Sequence, residues 1–352
     1  MPEGITGVPQ QKGISVRFET WMRENAGLQG VDFLRQAYEY CLMELSADAD
    51  ALVYEWADGM IGDHYPTPPR ILDYTERIIR KYLDWAICSK NPPKDNVFDL
   101  FAVEGSTAGM CYFFDVLKSN FLLNKDDSIA IMVPVFTPYI EIPQLSEFNY
   151  DVFNVKADRM DAEGLHTWQY DPADIDKLRD PKYKMLFVTN PSNPPSYAIS
   201  PETVKQLQDV VKDNPDLMIL CDDVYGTFVQ GYRSLIADLP YNAASCYSYS
   251  KYFGATGWRI AVTAVSQKNI FDDLIARLPD DKKSALNTRY QSLTLDVPAL
   301  KFIDRMVAES RLIALNHTAG LSLPQQIQMS FMALSSLLDK DEVYHKRMIK
   351  LI

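Results

Sequence analysis

The segment Ser248-Tyr249-Ser250-Lys251-Tyr252-Phe253-Gly254-Ala255-Thr256-Gly257-Trp258-Arg259-Ile260-Ala261 sets a lysine just beyond an apolar run, with two small hydroxyls before it and an arginine eight residues after it. A primary amine there can condense with an aldehyde, while Ser248 and Arg259 can hydrogen-bond and neutralise a phosphate, so the spacing suits a phosphate-bearing aldehyde cofactor. Taken alone, Ser-x-Ser-Lys also reads as an ordinary surface loop. Gly105-Ser106-Thr107-Ala108-Gly109 follows another apolar run and opens a helical stretch, where backbone N–H groups attract an anion, although such a turn by itself is equally a plain helix cap. Phe136, in Pro134-Val135-Phe136-Thr137-Pro138-Tyr139, reads either as a ring at a strand end or as a core phenylalanine. Asn190-Pro191-Ser192-Asn193-Pro194-Pro195 carries a turn signal. The adjacent acids of Asp222-Asp223-Val224-Tyr225 could ligate a metal, yet no histidine or third carboxylate follows at suitable spacing.

The elements that must position these groups follow from periodicity. Seven short apolar runs, Phe98 to Val103, Ser128 to Val133, Asp151 to Val155, Met185 to Thr189, Leu217 to Cys221, Ser245 to Tyr249 and Arg259 to Val265, alternate with helical stretches. Ser200 to Lys212 is the clearest helix, with Ser200 as cap, Pro201 at the first helical position and Glu202 in the first turn. Alternation of this kind predicts an α/β fold, a mostly parallel seven-stranded sheet sandwiched by helices. Ligands of such sheets gather at the carboxyl ends of the strands, where every segment above lies. Phe33 to Leu45, Ile71 to Ala86, Pro324 to Leu338 and Asp339 to Ile352 read as helices outside the alternating region. The expected organisation is an N-terminal helical segment, 1–95, packing on the sheet, a cofactor-binding domain, 96–275, and a helical segment, 276–352, leading into an incomplete second domain.

Across all fourteen positions Ser248 to Ala261 resembles the lysine signature of the fold type I pyridoxal-phosphate aminotransferases, and the other segments match in the right order. The resemblance implies pyridoxal 5'-phosphate as cofactor, Lys251 as the residue that carries it and serves as base, and Asp222 as the carboxylate that keeps the pyridine nitrogen protonated. It further implies Tyr225 and Asn193 as donors to the cofactor phenolate oxygen, Phe136 as the ring stacked on the pyridine, and Ser106, Thr107, Ser248 and Arg259 as the phosphate cup. Asp223 receives no role. Tyr65, in the turn Tyr65-Pro66-Thr67-Pro68-Pro69, resembles a tyrosine lent to a neighbouring subunit's phosphate, or is a simple turn tyrosine. Most members continue Asn-Pro-x-Asn-Pro with Thr-Gly, where this chain has Pro195-Ser196.

The finer wording is similar to the aspartate 4-decarboxylase group of that superfamily, also described as bifunctional aspartate aminotransferase and aspartate β-decarboxylase. This implies conversion of L-aspartate to L-alanine and CO₂ with accompanying transamination. The alternatives are a plain aspartate or alanine aminotransferase, or a catalytically silent pyridoxal-phosphate-binding assembly subunit. The group implies a homo-oligomer built from dimers, and residues beyond both ends of this chain, including an arginine for the substrate α-carboxylate. Arg17, Arg70 and Arg289 are candidate substitutes for it, or ordinary ion pairs. His64, His166, His317 and His345 are scattered and receive no catalytic role.

With 35 Lys plus Arg against 47 Asp plus Glu, a net charge of −12 and no basic run, the chain is unsuited to nucleic acid or an anionic membrane. No apolar stretch approaches the ~20 residues of a membrane span, and the opening Met1-Pro2-Glu3-Gly4-Ile5 lacks a secretory pattern, which points to the cytoplasm. Cys41, Cys88, Cys111, Cys221 and Cys246 are odd in number and widely spaced, as expected of reduced, mostly buried thiols rather than disulfides or a zinc site.

Overall fold

The computed structural model describes residues 12–61, 70–94, 97–311 and 320–351. The seven apolar runs form one sheet: β1 (Phe98–Val103), β2 (Ser128–Val133), β3 (Asp151–Lys156), β4 (Tyr183–Thr189), β5 (Met218–Asp222), β6 (Ala243–Ser248) and β7 (Ala261–Ser266). Their spatial order is β1-β7-β6-β5-β4-β2-β3. β7 alone runs antiparallel to its neighbours β1 and β6, and the other pairings are parallel.

Helices α1 (Ile14–Glu24), α2 (Gln29–Glu44), α3 (Ala49–Ile61) and α4 (Asp73–Ala86) precede the sheet, and α5 (Ser106–Ser119) joins β1 to β2. The short α6 (Pro138–Glu141) and α7 (Pro172–Asp176) follow β2 and β3. α8 (Pro201–Asp213) and the short α9 (Leu235–Asp238) join β4 to β5 and β5 to β6. After β7 come α10 (Ile270–Ala276), α11 (Asp280–Tyr290), α12 (Phe302–Arg311), α13 (Leu323–Leu337) and α14 (Val343–Leu351). The predicted cap of α8 forms, with Ser200 accepting from the Thr203 N–H.

Because strand side chains alternate, each strand supplies both layers. Leu100 and Ala102, Leu186 and Val188, and Ile219 and Cys221 face a core shared with α4, α8 and α13. Phe101 and Val103, Met185 and Phe187, and Met218 and Leu220 face a second core with α5, α10 and α12. β1, β5 and β6 are buried throughout, which explains why they are mostly apolar or small, whereas β3 at the edge is largely open to solvent. α12 therefore belongs to the sheet's second layer through Phe302 and Met306, while α13 joins the first through Ile327 and Leu334.

The reversal of β7 matters for the site. Val103 pairs with Ala261 and Ser248 pairs with Ala261, so the ends of β1 and β6 and the start of β7 share one sheet edge. The residue two before β7, Arg259, is thereby delivered to the same edge as the residues that follow β1, β4, β5 and β6. α14 leans on the intervening loop, where the Tyr344 hydroxyl donates to the Tyr252 carbonyl at 3.0 Å. Four cysteines are buried and Cys111 partly so, all as free thiols, and burial pushes their pKa values up. Among the described residues no helix is long and apolar enough to cross a membrane, and no cluster of potential metal ligands occurs.

Candidate active site

At the carboxyl edge lies a cleft of about 290 Å³ lined by Ser106, Thr107, Phe136, Asn193, Asp222, Tyr225, Ser248, Lys251 and Arg259, together with Tyr139, Val224, Ser250 and Thr256. Nine of the ten residues picked out in the sequence thus converge on one space. The tenth, Tyr65, lies outside the described residues, as does its proline-rich turn.

Ser106 and Thr107 open α5, whose first N–H groups carry the positive end of the helix dipole. Gly105, just before them, has φ +101° and ψ 156°, a region that side-chain-bearing residues rarely enter. A Cβ there would stand 2.1 Å from Arg259 Nη2, so the missing side chain is what lets the guanidinium reach the turn. Arg259 itself adopts a left-handed backbone, φ 54° and ψ 50°, and its Nη1 donates to the Thr256 carbonyl at 3.2 Å. No carboxylate pairs with it among the described residues. Ser248 is buried and its hydroxyl donates to Ser250 at 2.9 Å, so the two hydroxyls before the lysine act as a linked pair. Together these groups form a cup of hydroxyls, helix N–H groups and one uncompensated guanidinium, a donor set that fits a phosphate dianion.

Opposite the cup, Asp222 is only 3% exposed. Burial raises its carboxyl pKa to about 6, against the lowering effect of bonds from the Tyr139 hydroxyl and the Val224 N–H and of the nearby Lys251 charge. A buried carboxylate is satisfied best by a cationic N–H partner, which fits a protonated ring nitrogen. Lys251 is exposed in the cleft and free of any carboxylate partner among the described residues, as an amine that must react requires. Phe136 is 42% exposed and stands edge-on to Tyr139, with ring centroids 5.5 Å apart. Tyr225 is half-buried and burial raises its hydroxyl pKa.

Three features escaped the sequence reading. Tyr139, three residues after Phe136, is buried against Asp222, and only its position in the quoted segment hinted at that. Gly105 was read as part of a cup without its contact to Arg259. Asp223, given no role, is completely buried and joined to the hydroxyls of Tyr232, Ser234 and Ser245. The departure at Pro195-Ser196 leaves Ser196 at φ 65°, with its N–H bonded to the Ser192 carbonyl. Of the candidate substrate arginines, Arg70 is held by Asp304 at 3.3 Å and Arg289 by Glu309, with 2.7 Å from its Nε. Both are ion-paired, and Arg17 is exposed on α1.

The chain is 44% identical over its whole length to a bifunctional aspartate aminotransferase and L-aspartate beta-decarboxylase of Pseudomonas sp, and spans 65% of that protein. It is 28% identical over 164 residues, 45% of this chain and 39% of the relative, to a probable aspartate/prephenate aminotransferase of Rhizobium leguminosarum bv. phaseoli. Its fold superposes on aspartate aminotransferase from Thermus thermophilus with maleate at a TM-score of 0.56 and 14% identity, covering 97% of this chain and 74% of that one. The family described as aminotransferase class I and II matches residues 65–317, a stretch that holds every strand of the sheet and every described residue of the cup. The chain belongs to that family.

Proposed function

We propose that this chain acts in the pyridoxal-phosphate-dependent conversion of L-aspartate to L-alanine and CO₂, with accompanying aspartate transamination. The observation that carries this reading is the convergence of an unpaired guanidinium, a buried carboxylate and an unpaired lysine amine on one cleft. The 44% identity to a bifunctional relative favours the decarboxylating variant over a plain aminotransferase.

When bound, pyridoxal phosphate supplies an aldehyde that takes up an amine and a ring that delocalises electrons released at the substrate carbons. Ser106, Thr107, Ser248 and Arg259 would hold its phosphate, Phe136 its ring face, and Asn193 and Tyr225 its phenolate oxygen. Asp222 would hold a proton on the ring nitrogen, because its buried charge is costly without a cationic partner. The Lys251 amine would hold the aldehyde when no substrate is present and, once freed by the substrate amine, would serve as the base that takes the Cα proton and the acid that delivers it to the former aldehyde carbon. Burial of Asp222, Val224 and Ser248 keeps water from the deep end of the cleft.

The acidic composition disfavours a polyanionic substrate, and the family context supports an amino-acid substrate, a homo-oligomer built from dimers and a cytoplasmic location. We take residues 96–275, which hold every strand of the sheet, as the cofactor-binding domain, with 1–95 and 276–352 as helical segments that complete its two layers. Incubation with carbon-labelled L-aspartate tests the reaction. Labelled alanine and CO₂ are expected; oxaloacetate without either overturns the decarboxylase reading. Retained cofactor absorbance with no product identifies a silent binding subunit instead.

A further inference from the structure

The buried acid beside Asp222 raises a question of proton count. Tyr232 Oη lies 2.7 Å from the Asn190 carbonyl oxygen and 2.6 Å from Asp223 Oδ1. A phenol has one proton, and a carbonyl can only accept. If Tyr232 donates to the carboxylate, its oxygen faces the Asn190 carbonyl with no proton between them. If it donates to the carbonyl, its lone pair faces a carboxylate anion at 2.6 Å. Both contacts are attractive only if a further proton sits on Asp223 Oδ1. Oδ2 accepts from the hydroxyls of Ser234, at 2.7 Å, and Ser245, which fills the remaining capacity of a neutral acid.

We infer that Asp223 is a neutral carboxylic acid at pH 7, donating to Tyr232, which donates in turn to Asn190, and that this chain makes Asp223 a positioning residue for the active site. The groups facing it are Asp222 and Cys221 on β5, Cys246 and Tyr247 on β6, Cys88 after α4 and Tyr232 on its loop. Among the described residues no cation pairs with it, and burial raises its pKa. An anion here would stand uncompensated next to Asp222, whereas a neutral acid leaves Asp222 the sole negative charge at the deep end of the cleft.

The positioning follows from what the chain of bonds ties together. Asn190 begins the turn that carries Asn193, and its N–H already bonds the Asp222 carbonyl at 3.0 Å. The Asp223–Tyr232–Asn190 relay is a second tie between the same turn and the same strand end. Ser245 adds β6, the strand that leads to Lys251. One buried acid therefore fixes the separations among Asn193, Asp222 and Lys251. The positioning role rests on the cofactor reading above; the protonation does not.

Infrared spectra of the wild type, Asp223→Asn and Asp222→Asn at pH 7, with thermal midpoints and pyridoxal phosphate dissociation constants, test both parts. In wild-type-minus-variant difference spectra, which cancel other protonated acids such as Glu55 with its pKa raised to about 7, a protonated-carboxyl band that is present for Asp223→Asn and absent for Asp222→Asn is expected. Asn offers an N–H in place of the acid proton, so Asp223→Asn should keep cofactor affinity within about threefold. Asp223→Ala and Tyr232→Phe should weaken it about tenfold or more, by the loss of one or two buried hydrogen bonds. Absence of the band, or an Asp223→Asn variant as impaired as Asp223→Ala, overturns the protonation. Unchanged affinity in Tyr232→Phe overturns the positioning role. A wild type that binds no pyridoxal phosphate refutes the cofactor reading and with it the positioning role, while the infrared band still decides the protonation.

Discussion

Asp222→Asn should stabilise the cofactor-free protein while removing its chemistry. The carboxyl titrates at about 6 in the fold against a reference of 3.8, so the folded state holds the proton more tightly than the unfolded one. Stability is therefore lost as pH rises between those values, and above about 6 the full penalty applies. At 1.36 kcal/mol per unit, a shift of ~2 units costs about 3 kcal/mol, of which roughly half is already present at pH 5. This is an upper value, since a neutral Asp223 adds no charge repulsion to the burial term. Asn keeps the shape and an acceptor for the Val224 N–H without the buried charge. Urea unfolding of cofactor-stripped wild type and Asp222→Asn from pH 5 to 8 should show the variant more stable, by a margin growing about 1–2 kcal/mol across the range. Adding pyridoxal phosphate should stabilise the wild type more than the variant, because only an ionised Asp222 gains from a ring cation. A flat difference across that range, or a variant less stable throughout, would refute the assignment of Asp222 as an uncompensated buried acid.

Gly105→Ala should cost about 1–3 kcal/mol from its backbone conformation alone, and more by displacing Arg259, with a marked loss of pyridoxal phosphate affinity in absorbance titrations. Lys251→Ala should lose borohydride-dependent attachment of the cofactor, read by intact mass, while its thermal midpoint stays near the wild type because the side chain is exposed and unpaired. Ser200→Ala should lower stability by about 1 kcal/mol through the lost cap of α8, with cofactor affinity unchanged, which separates global stability from the site.

The strands and the clustering of candidate residues at their ends were legible because both are local properties. β1, β5 and β6 are buried on both faces, so their apolar runs stand out, and each run ends one to three residues before a polar group of the cleft. What stayed hidden depends on contacts between segments distant in sequence. Nothing near Gly105 announces Arg259, more than a hundred residues on, and nothing near Asp223 announces Tyr232 and Asn190 as its partners. Tyr139 looked like one more aromatic until its hydroxyl met Asp222. Arg70 and Arg289 could be identified as ion pairs only when Asp304, far along the chain, and Glu309, on the next long helix, came beside them.

The charge balance acquires a local meaning from the same geometry. In a chain of net charge −12, most well-placed arginines are engaged: Arg80 with Glu76 and Asp99, Arg179 with Asp176 and Asp213, Arg233 with Asp238, and Arg277 with Asp216. Against that background Arg259, held in a strained backbone over a glycine at a helix N-terminus, is a costly placement for folding alone, while the exposed Lys251 amine stands free beside a buried carboxylate. The proposed cofactor would offset that cost by bringing an anion to Arg259, an electrophile to Lys251 and a cation to Asp222. The antiparallel β7 makes that arrangement possible: it returns Arg259 to the edge where the parallel strands end, and a fully parallel sheet would have carried it to the opposite side.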